Sequence, residues 1–270
     1  MSDRKKEHWS AGDLYEPYVG RWSRKVAVGF LAWLQEPAHM RWLDVGCGTG
    51  ALTQAILRVA QPASVLAIDA SPAFVDFARA LTPEDRARYE VGDAQSLSLA
   101  AGSVDVVVSG LMLHFVPEPD KALAEMARVV RPGGCVAAYV WDYAEGMELM
   151  RYFWDAATRL DPAALTLDEG RRFPMCRPEP LTALFEHAGL AHVDVHALDV
   201  PTPFRDFDDY WSPFLGGQGP APGYAMSLAA DDRVRLREML REALPHGKDG
   251  RIGLHARAWA VRGRTGLSRT

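Results

Sequence analysis

The feature that most constrains this chain is the stretch Leu43-Asp44-Val45-Gly46-Cys47-Gly48-Thr49-Gly50. An apolar strand runs into an acidic residue and a glycine-rich loop follows at once. A helix then opens, with Leu52, Ala55, Ile56 and Val59 spaced for one apolar face. Glycine lets the backbone turn sharply here and approach a bound molecule closely, because no Cβ intervenes. Strand, glycine loop and helix in this order are the parts of a nucleotide-cofactor site.

The loop fits two templates. Gly46, Gly48 and Ala51 satisfy the G-x-G-x-x-G/A pattern of dinucleotide enzymes, a weak signal on its own. The tighter string, acidic-x-G-x-G-x-G, resembles the first motif of class I S-adenosylmethionine-dependent methyltransferases. Asp44 helps to separate the two. A dinucleotide site normally has an apolar residue there and aims the helix N-terminus at a pyrophosphate. S-adenosylmethionine has no phosphate but carries an ammonium and a sulfonium, which a carboxylate at the strand tip suits. Asp44 also suits a purely structural part, fixing the loop by hydrogen bonds, and the two parts are compatible. The alternatives are an NAD-dependent oxidoreductase and a non-catalytic S-adenosylmethionine-binding protein on the same fold.

Strand and helix signals alternate along the chain, which predicts an α/β fold with a parallel sheet. After a leading helix (Val26, Phe30, Leu31, Leu34), strands are expected at Arg41 to Val45, Val65 to Asp69, Arg88 to Val91, Val104 to Val108 and Cys135 to Trp141. Ser71-Pro72 reads as an N-cap with proline at the first helical position. The helix carrying Leu123, Met126, Ala127 and Val130 is expected to stop at Pro132-Gly133-Gly134. Beyond Trp141 the rhythm loosens into segments 143–178 and 201–230, with a helix ending at Gly189 and a strand at Val193 to Val200. A final helix precedes an alternating strand, Leu254 to Ala260. No linker marks a second domain, so residues 1–270 are expected to be one domain. It divides into an N-terminal helical lid (1–36), a cofactor-binding core (41–142) and two substrate-side inserts (143–178 and 201–230).

Asp44, Asp69 and Asp93 are about 25 residues apart, roughly one βα unit each. In a parallel sheet such positions fall on one carboxyl edge, where doubly wound folds bind ligands. Asp69 is placed to accept from a ribose diol, a role that NAD would share. Asp93 is placed to accept from an adenine amino group, with the Ala94 amide donating to the ring. As a residue after Gly92 it also suits a plain turn.

Most of the chain resembles the class I methyltransferase branch related to ubiquinone and menaquinone biosynthesis enzymes. The resemblance rests on Leu43 to Gly50, Ala67-Ile68-Asp69-Ala70-Ser71, Gly92-Asp93-Ala94, and the span from Leu113-His114-Phe115-Val116-Pro117 to Arg131-Pro132-Gly133-Gly134. It implies a Rossmann-like, doubly wound sheet of seven mostly parallel strands, the last antiparallel and inserted beside the sixth, with helical inserts forming a lid. It implies S-adenosylmethionine as cofactor and S-adenosylhomocysteine as product. Gly46, Cys47, Gly48, Asp69, Ala70, Asp93 and Ala94 fall in its cofactor motifs, and Ser109 is placed to line the methionine end. Transfer would be an in-line displacement, and holding the reactants in near-attack geometry is worth on the order of 7–11 kcal/mol.

His114, just past strand four, is the acid/base candidate, since an ordinary imidazole titrates at about 6.5. Packing under the loop is its bland alternative. Tyr18 and Arg21 are candidates for the lid, the tyrosine over the sulfonium and the arginine on the cofactor carboxylate. Trp141, Tyr143, Tyr152, Trp154, Phe173, Tyr210, Trp211, Phe214 and Tyr224 gather after strand five. They suggest a closed chamber for a small aromatic or apolar acceptor, with some of them anchoring the inserts.

The net charge of −5 and the lack of a Lys/Arg run speak against nucleic acid. After strand four the chain has no Asn/Asp-Pro-Pro-aromatic string of amino-methylating DNA enzymes, and Glu118 lacks the partner that a protein arginine methyltransferase needs. No apolar run reaches membrane-spanning length. The start lacks a signal-peptide core, and Cys47, Cys135 and Cys176 are far apart in sequence, which points to the cytoplasm. The histidines form no metal-ligand set. Neither the oligomeric state nor the acceptor atom follows from these residues.

Overall fold

The structure is a computed structural model, and it describes residues 20–217 and 219–267. Its sheet strands are β1 (Arg41–Val45), β2 (Ser64–Asp69), β3 (Ala87–Val91), β4 (Val104–Gly110), β5 (Val130–Trp141), β6 (Ala191–Phe204) and β7 (Ile252–Arg264). Their order across the sheet is β3-β2-β1-β4-β5-β7-β6. β1 lies between β2 and β4 and is parallel to both, so it reads as a nearly continuous apolar run, with four of its five residues buried. β7 is antiparallel to β5, from Cys135 opposite Arg264 to Trp141 opposite Ala258. It lies between β5 and β6, the inserted position that the resemblance implies.

The chain winds outward from β1 to β3, then returns to start β4 on the other side of β1. The carboxyl ends of β1 and β4 therefore flank the topological switch point, where open α/β sheets bind ligands. The connecting helices are α1 (Arg21–Leu34), α2 (Ala51–Val59), α3 (Pro72–Leu81) and α4 (Pro119–Val129). α3 starts as its sequence requires: Ser71 Oγ accepts from the Phe74 amide at 3.4 Å and Pro72 occupies the first turn.

One boundary departs from expectation. α4 ends at Val129, and Val130 is already the first residue of β5. The Pro132-Gly133-Gly134 stretch, expected as a helix stop, is an irregularity inside the strand between the pairs Val104–Val130 and Val106–Cys135. At Gly134 a Cβ would come within 2.6 Å of the Asp105 carbonyl oxygen, so only glycine lets the strand pass there.

The contacts resolve two compact units. One comprises the described residues within 23–141, 175–198 and 258–270 and holds most of the sheet and α7 (Pro178–His187). Its core includes Phe30, Trp42, Leu43, Ile56, Val75, Leu123 and Met126, all buried. The other comprises the described residues within 1–22, 142–174 and 199–257. It carries α5 (Glu148–Leu160), α6 (Glu169–Arg172), α8 (Phe207–Trp211), α9 (Pro220–Ser227) and α10 (Ala230–Ala243).

The second unit is held by aromatic packing. Phe153 stacks on Phe214 with centroids 4.5 Å apart, Trp154 meets Phe153 edge-on at 5.1 Å, and the Tyr210 hydroxyl donates to the Leu149 carbonyl at 3.0 Å. Trp154, Tyr210, Trp211, Phe214 and Tyr224 are all buried and pack largely against one another. Their contacts are those of a hydrophobic core.

Candidate functional site

The carboxyl rim follows from strand register. Val45 opposes Ile68, and Asp69 opposes Val91. Asp44, Asp69 and Asp93 thus stand at the ends of the neighbouring strands β1, β2 and β3. The Gly92 amide donates to the Asp69 carbonyl at 3.0 Å, which ties the second and third ends together.

The glycine loop is fastened to the same rim. The amides of Gly46 and Cys47 both donate to the Ile68 carbonyl, at 2.7 and 3.0 Å. Gly46 has φ +75°, and a Cβ on it would lie 2.3 Å from Cγ of Met112. A side chain is excluded there on two counts, backbone conformation and the occupied space. Gly48 has φ +52°, with no atom within 4 Å of where its Cβ would be, so the backbone there faces open space.

Each carboxylate has a different environment. Asp44 is fully buried; Oδ2 accepts from Thr53 Oγ1 at 2.6 Å, while Oδ1 has no hydrogen-bond partner among the described residues. Burial pushes its carboxyl up to about 7, with the Thr53 hydrogen bond pulling the other way and Asp69 adding repulsion. Asp69 clamps the loop: Oδ2 accepts from the Gly48 amide and Oδ1 from the Ser71 amide, each at 2.9 Å. Burial raises its pKa, against those two amide hydrogen bonds. A carboxylate has about four acceptor sites, so lone pairs remain for a diol. Asp93 is exposed and closes a local turn, accepting from the Gln95 amide at 2.8 Å.

The other expected residues divide by location. Ala70 is exposed at the rim and Ala94 half-buried there. The Cys47 side chain points into a cluster with Ala67, Val75, Ala78 and Tyr89, and burial drives its thiol pKa far upward. Its contribution to the loop is packing and backbone. Ser109 is fully buried at the end of β4, with no partner for Oγ among the described residues. His114 sits in a short 3-10 turn, Leu113–Phe115, with its ring centroid 4.0 Å from that of Phe115. Burial lowers its pKa to about 3, so the ordinary value assumed from sequence does not apply and the imidazole is neutral near pH 7. Arg21 lies in the second unit. Its Nη1 donates to Asp209 at 3.2 Å, and its guanidinium stacks on Trp22 and Phe204. Tyr18 lies outside the described residues.

Sequence reasoning missed two side chains. Thr53, on α2, anchors Asp44; a polar residue on an otherwise apolar helix face nine positions after the strand acid was the signal. Met112, in the loop after β4, fills the space over Gly46, and nothing local announces that contact.

Among the described residues no group of three or more His, Cys, Asp or Glu could hold a metal ion, and no helix is long and apolar enough to cross a membrane. The site fits an S-adenosylmethionine-type cofactor on its own chemistry. A buried carboxylate oxygen with an unused acceptor suits an ammonium, and the bare backbone at Gly48 suits close approach of a bulky ligand.

Comparison with known proteins bears on the same segment. A family model described as a methyltransferase domain matches residues 43–138, from β1 into β5. The chain is 34% identical over 141 residues to a malonyl-[acyl-carrier protein] O-methyltransferase of Methylococcus capsulatus, covering 51% of each protein. It is 32% identical over 180 residues to a 2-methyl-6-phytyl-1,4-hydroquinone methyltransferase of Synechocystis, covering 66% of this chain and 55% of the relative. The chain thus spans about half the length of these curated relatives. A methyltransferase-like structure from Bacillus halodurans shares the fold, with TM-score 0.60 at 14% identity, over 89% of this chain and 99% of that one. Residues 43–138 thus carry the likeness to class I S-adenosylmethionine-dependent methyltransferases, in sequence and in fold.

Proposed function

We propose that this protein transfers a methyl group from S-adenosylmethionine to a small organic acceptor. The observation that carries the proposal is Asp44. A fully buried carboxyl group, with one oxygen held by Thr53 and the other without a partner among the described residues, is costly to ionise unless a cation completes it. The ammonium of the cofactor's amino-acid tail is such a cation. When bound, the cofactor supplies an electrophilic methyl on sulfonium sulfur, which an acceptor lone pair displaces in line, the C–S electron pair staying with sulfur.

The chain's residues bind and orient. Asp44 holds the amino-acid tail, the Asp69 carboxylate holds the ribose while it clamps Gly48, and Asp93 with Ala94 holds the adenine. Ser109 lines the methionine end. His114, neutral at pH 7, serves as a hydrogen-bonding group beyond β4; with a pKa of about 3 it is a poor general base, so rate enhancement rests on positioning. Arg21 and Tyr18 belong to the N-terminal lid (1–36), and segments 143–178 and 201–230 carry acceptor recognition within a single methyltransferase domain. The acceptor is of apolar or aromatic character and the setting cytoplasmic. One relative is named for O-methylation of a carrier-bound malonyl group and the other for methylation of a hydroquinone, which supports a small-molecule acceptor without fixing its atom.

The test is formation of S-adenosylhomocysteine from S-adenosylmethionine with a metabolite panel, alongside binding of both compounds and NADH. Product formation that depends on one acceptor supports the proposal. Tight NADH binding with no response to either sulfur compound overturns it.

A further inference from the structure

The cofactor's parts, on the proposed function, run along the rim in strand order: adenine at β3, ribose at β2, amino-acid tail at β1. The sulfonium sulfur joins the ribose to that tail, so the reactive methyl falls over the end of β1, at its boundary with β4. Met112 is the side chain that crosses this boundary. It leaves the loop after β4 and seats on Gly46 at the end of β1, with Cγ 2.3 Å, Cβ 2.7 Å and Cε 3.3 Å from the place of a Cβ. Met112 is half-buried, so part of it remains open to a ligand.

Three features hold it there. The preceding Leu111 has φ +60°, a left-handed conformation that a branched apolar residue adopts only under constraint. The Leu111 amide donates to the Tyr139 carbonyl at 2.8 Å. Gly110 leaves room for the Tyr139 ring, whose hydroxyl oxygen lies 2.6 Å from where a Cβ would be. Backbone strain at a switch point marks a side chain aimed for a purpose.

We propose that Met112 is a specificity residue that contacts the donor's transferable methyl and separates S-adenosylmethionine from S-adenosylhomocysteine. This rests on the function proposed above. A thioether is polarisable and apolar; it packs well on a methyl group and offers little to a bare thioether product. The two ligands differ only in that methyl and its charge, so a residue that merely supports the loop would affect both equally.

The experiment measures dissociation constants of both ligands by calorimetry for the wild type, Met112→Ala and Met112→Leu, with thermal melts to verify folding. Met112→Ala is expected to weaken S-adenosylmethionine more than S-adenosylhomocysteine, raising the ratio of their dissociation constants about threefold or more. Met112→Leu, close in volume, is expected to stay within about twofold of the wild-type ratio. If the alanine variant does not fold, Met112→Val carries the test, with a smaller rise in the same direction. An unchanged ratio in the truncated variant overturns the role of Met112 while leaving the cofactor assignment intact. A wild type that binds neither ligand overturns both.

Discussion

Thr53 Oγ1 donates to Asp44 Oδ2 at 2.6 Å, joining the first helix after the glycine loop to the carboxylate that precedes the loop. This bond orients Asp44 so that its other oxygen is the one without a hydrogen-bond partner among the described residues. Thr53→Val, nearly isosteric, is expected to cost about 1–3 kcal/mol of stability by leaving a buried acceptor unmade. It should also raise the Asp44 pKa further, because the Thr53 bond is what lowers it. Denaturant unfolding measures the first effect, and the pH midpoint of ligand binding measures the second.

Asp69 bridges the amides of Gly48 and Ser71. Asp69→Ala removes both acceptors at once, so the glycine loop should loosen and affinity for either sulfur ligand should fall about tenfold or more. Hydrogen exchange at the Gly48 and Ser71 amides, both expected to lose protection, distinguishes this from a distant effect.

His114 and Asp44 should pull stability in opposite directions with pH. The His114 pKa falls from 6.5 to about 3 on folding, so its share of stability is whole above about 6.5 and is lost as pH drops toward 3. The Asp44 pKa rises from 3.8 to about 7, so its share is whole below about 3.8 and is lost as pH rises through 7. Asp69, also raised by burial, adds to the second slope. Melting temperatures between pH 4 and 8 should therefore show a steeper acid loss in Asp44→Asn than in the wild type. In His114→Gln, stability should decline toward pH 7. Parallel shifts without a change of slope would contradict these assignments.

The Gly110–Tyr139 contact is a steric one. Gly110→Ala places a Cβ 2.6 Å from the tyrosine hydroxyl and should cost about 1–3 kcal/mol. In a Tyr139→Leu background the same substitution should cost less. A double-mutant cycle is expected to return a coupling of at least about 0.5 kcal/mol.

Much of this was legible in the sequence because it is local. The acid–glycine string, the strand ends at Asp69 and Asp93, and the Ser71-Pro72 helix start all act over a few residues. The antiparallel final strand came from family resemblance, since alternation in Leu254 to Ala260 predicts a strand but not its direction. What escaped depends on distant partners. The seating of Met112 on Gly46 joins residues 66 positions apart, and only burial, invisible in a single His, lowers the His114 pKa. Pro132-Gly133-Gly134 looked like a helix stop because proline and glycine usually are one; here β4 pairs on both sides of it and draws it into the sheet. Composition alone does not say which aromatics after β5 line a chamber and which anchor the inserts; many of their rings pack in the core of a unit assembled from separated stretches.

The most direct measurement is calorimetric titration of S-adenosylhomocysteine into the wild type and Asp44→Asn from pH 6 to 8. The wild type is expected to bind, and to bind more tightly as pH rises through about 7, where Asp44 ionises. Asp44→Asn is expected to bind about tenfold or more weakly, with that pH dependence gone. Equal affinity and equal pH dependence in the two proteins would contradict the account.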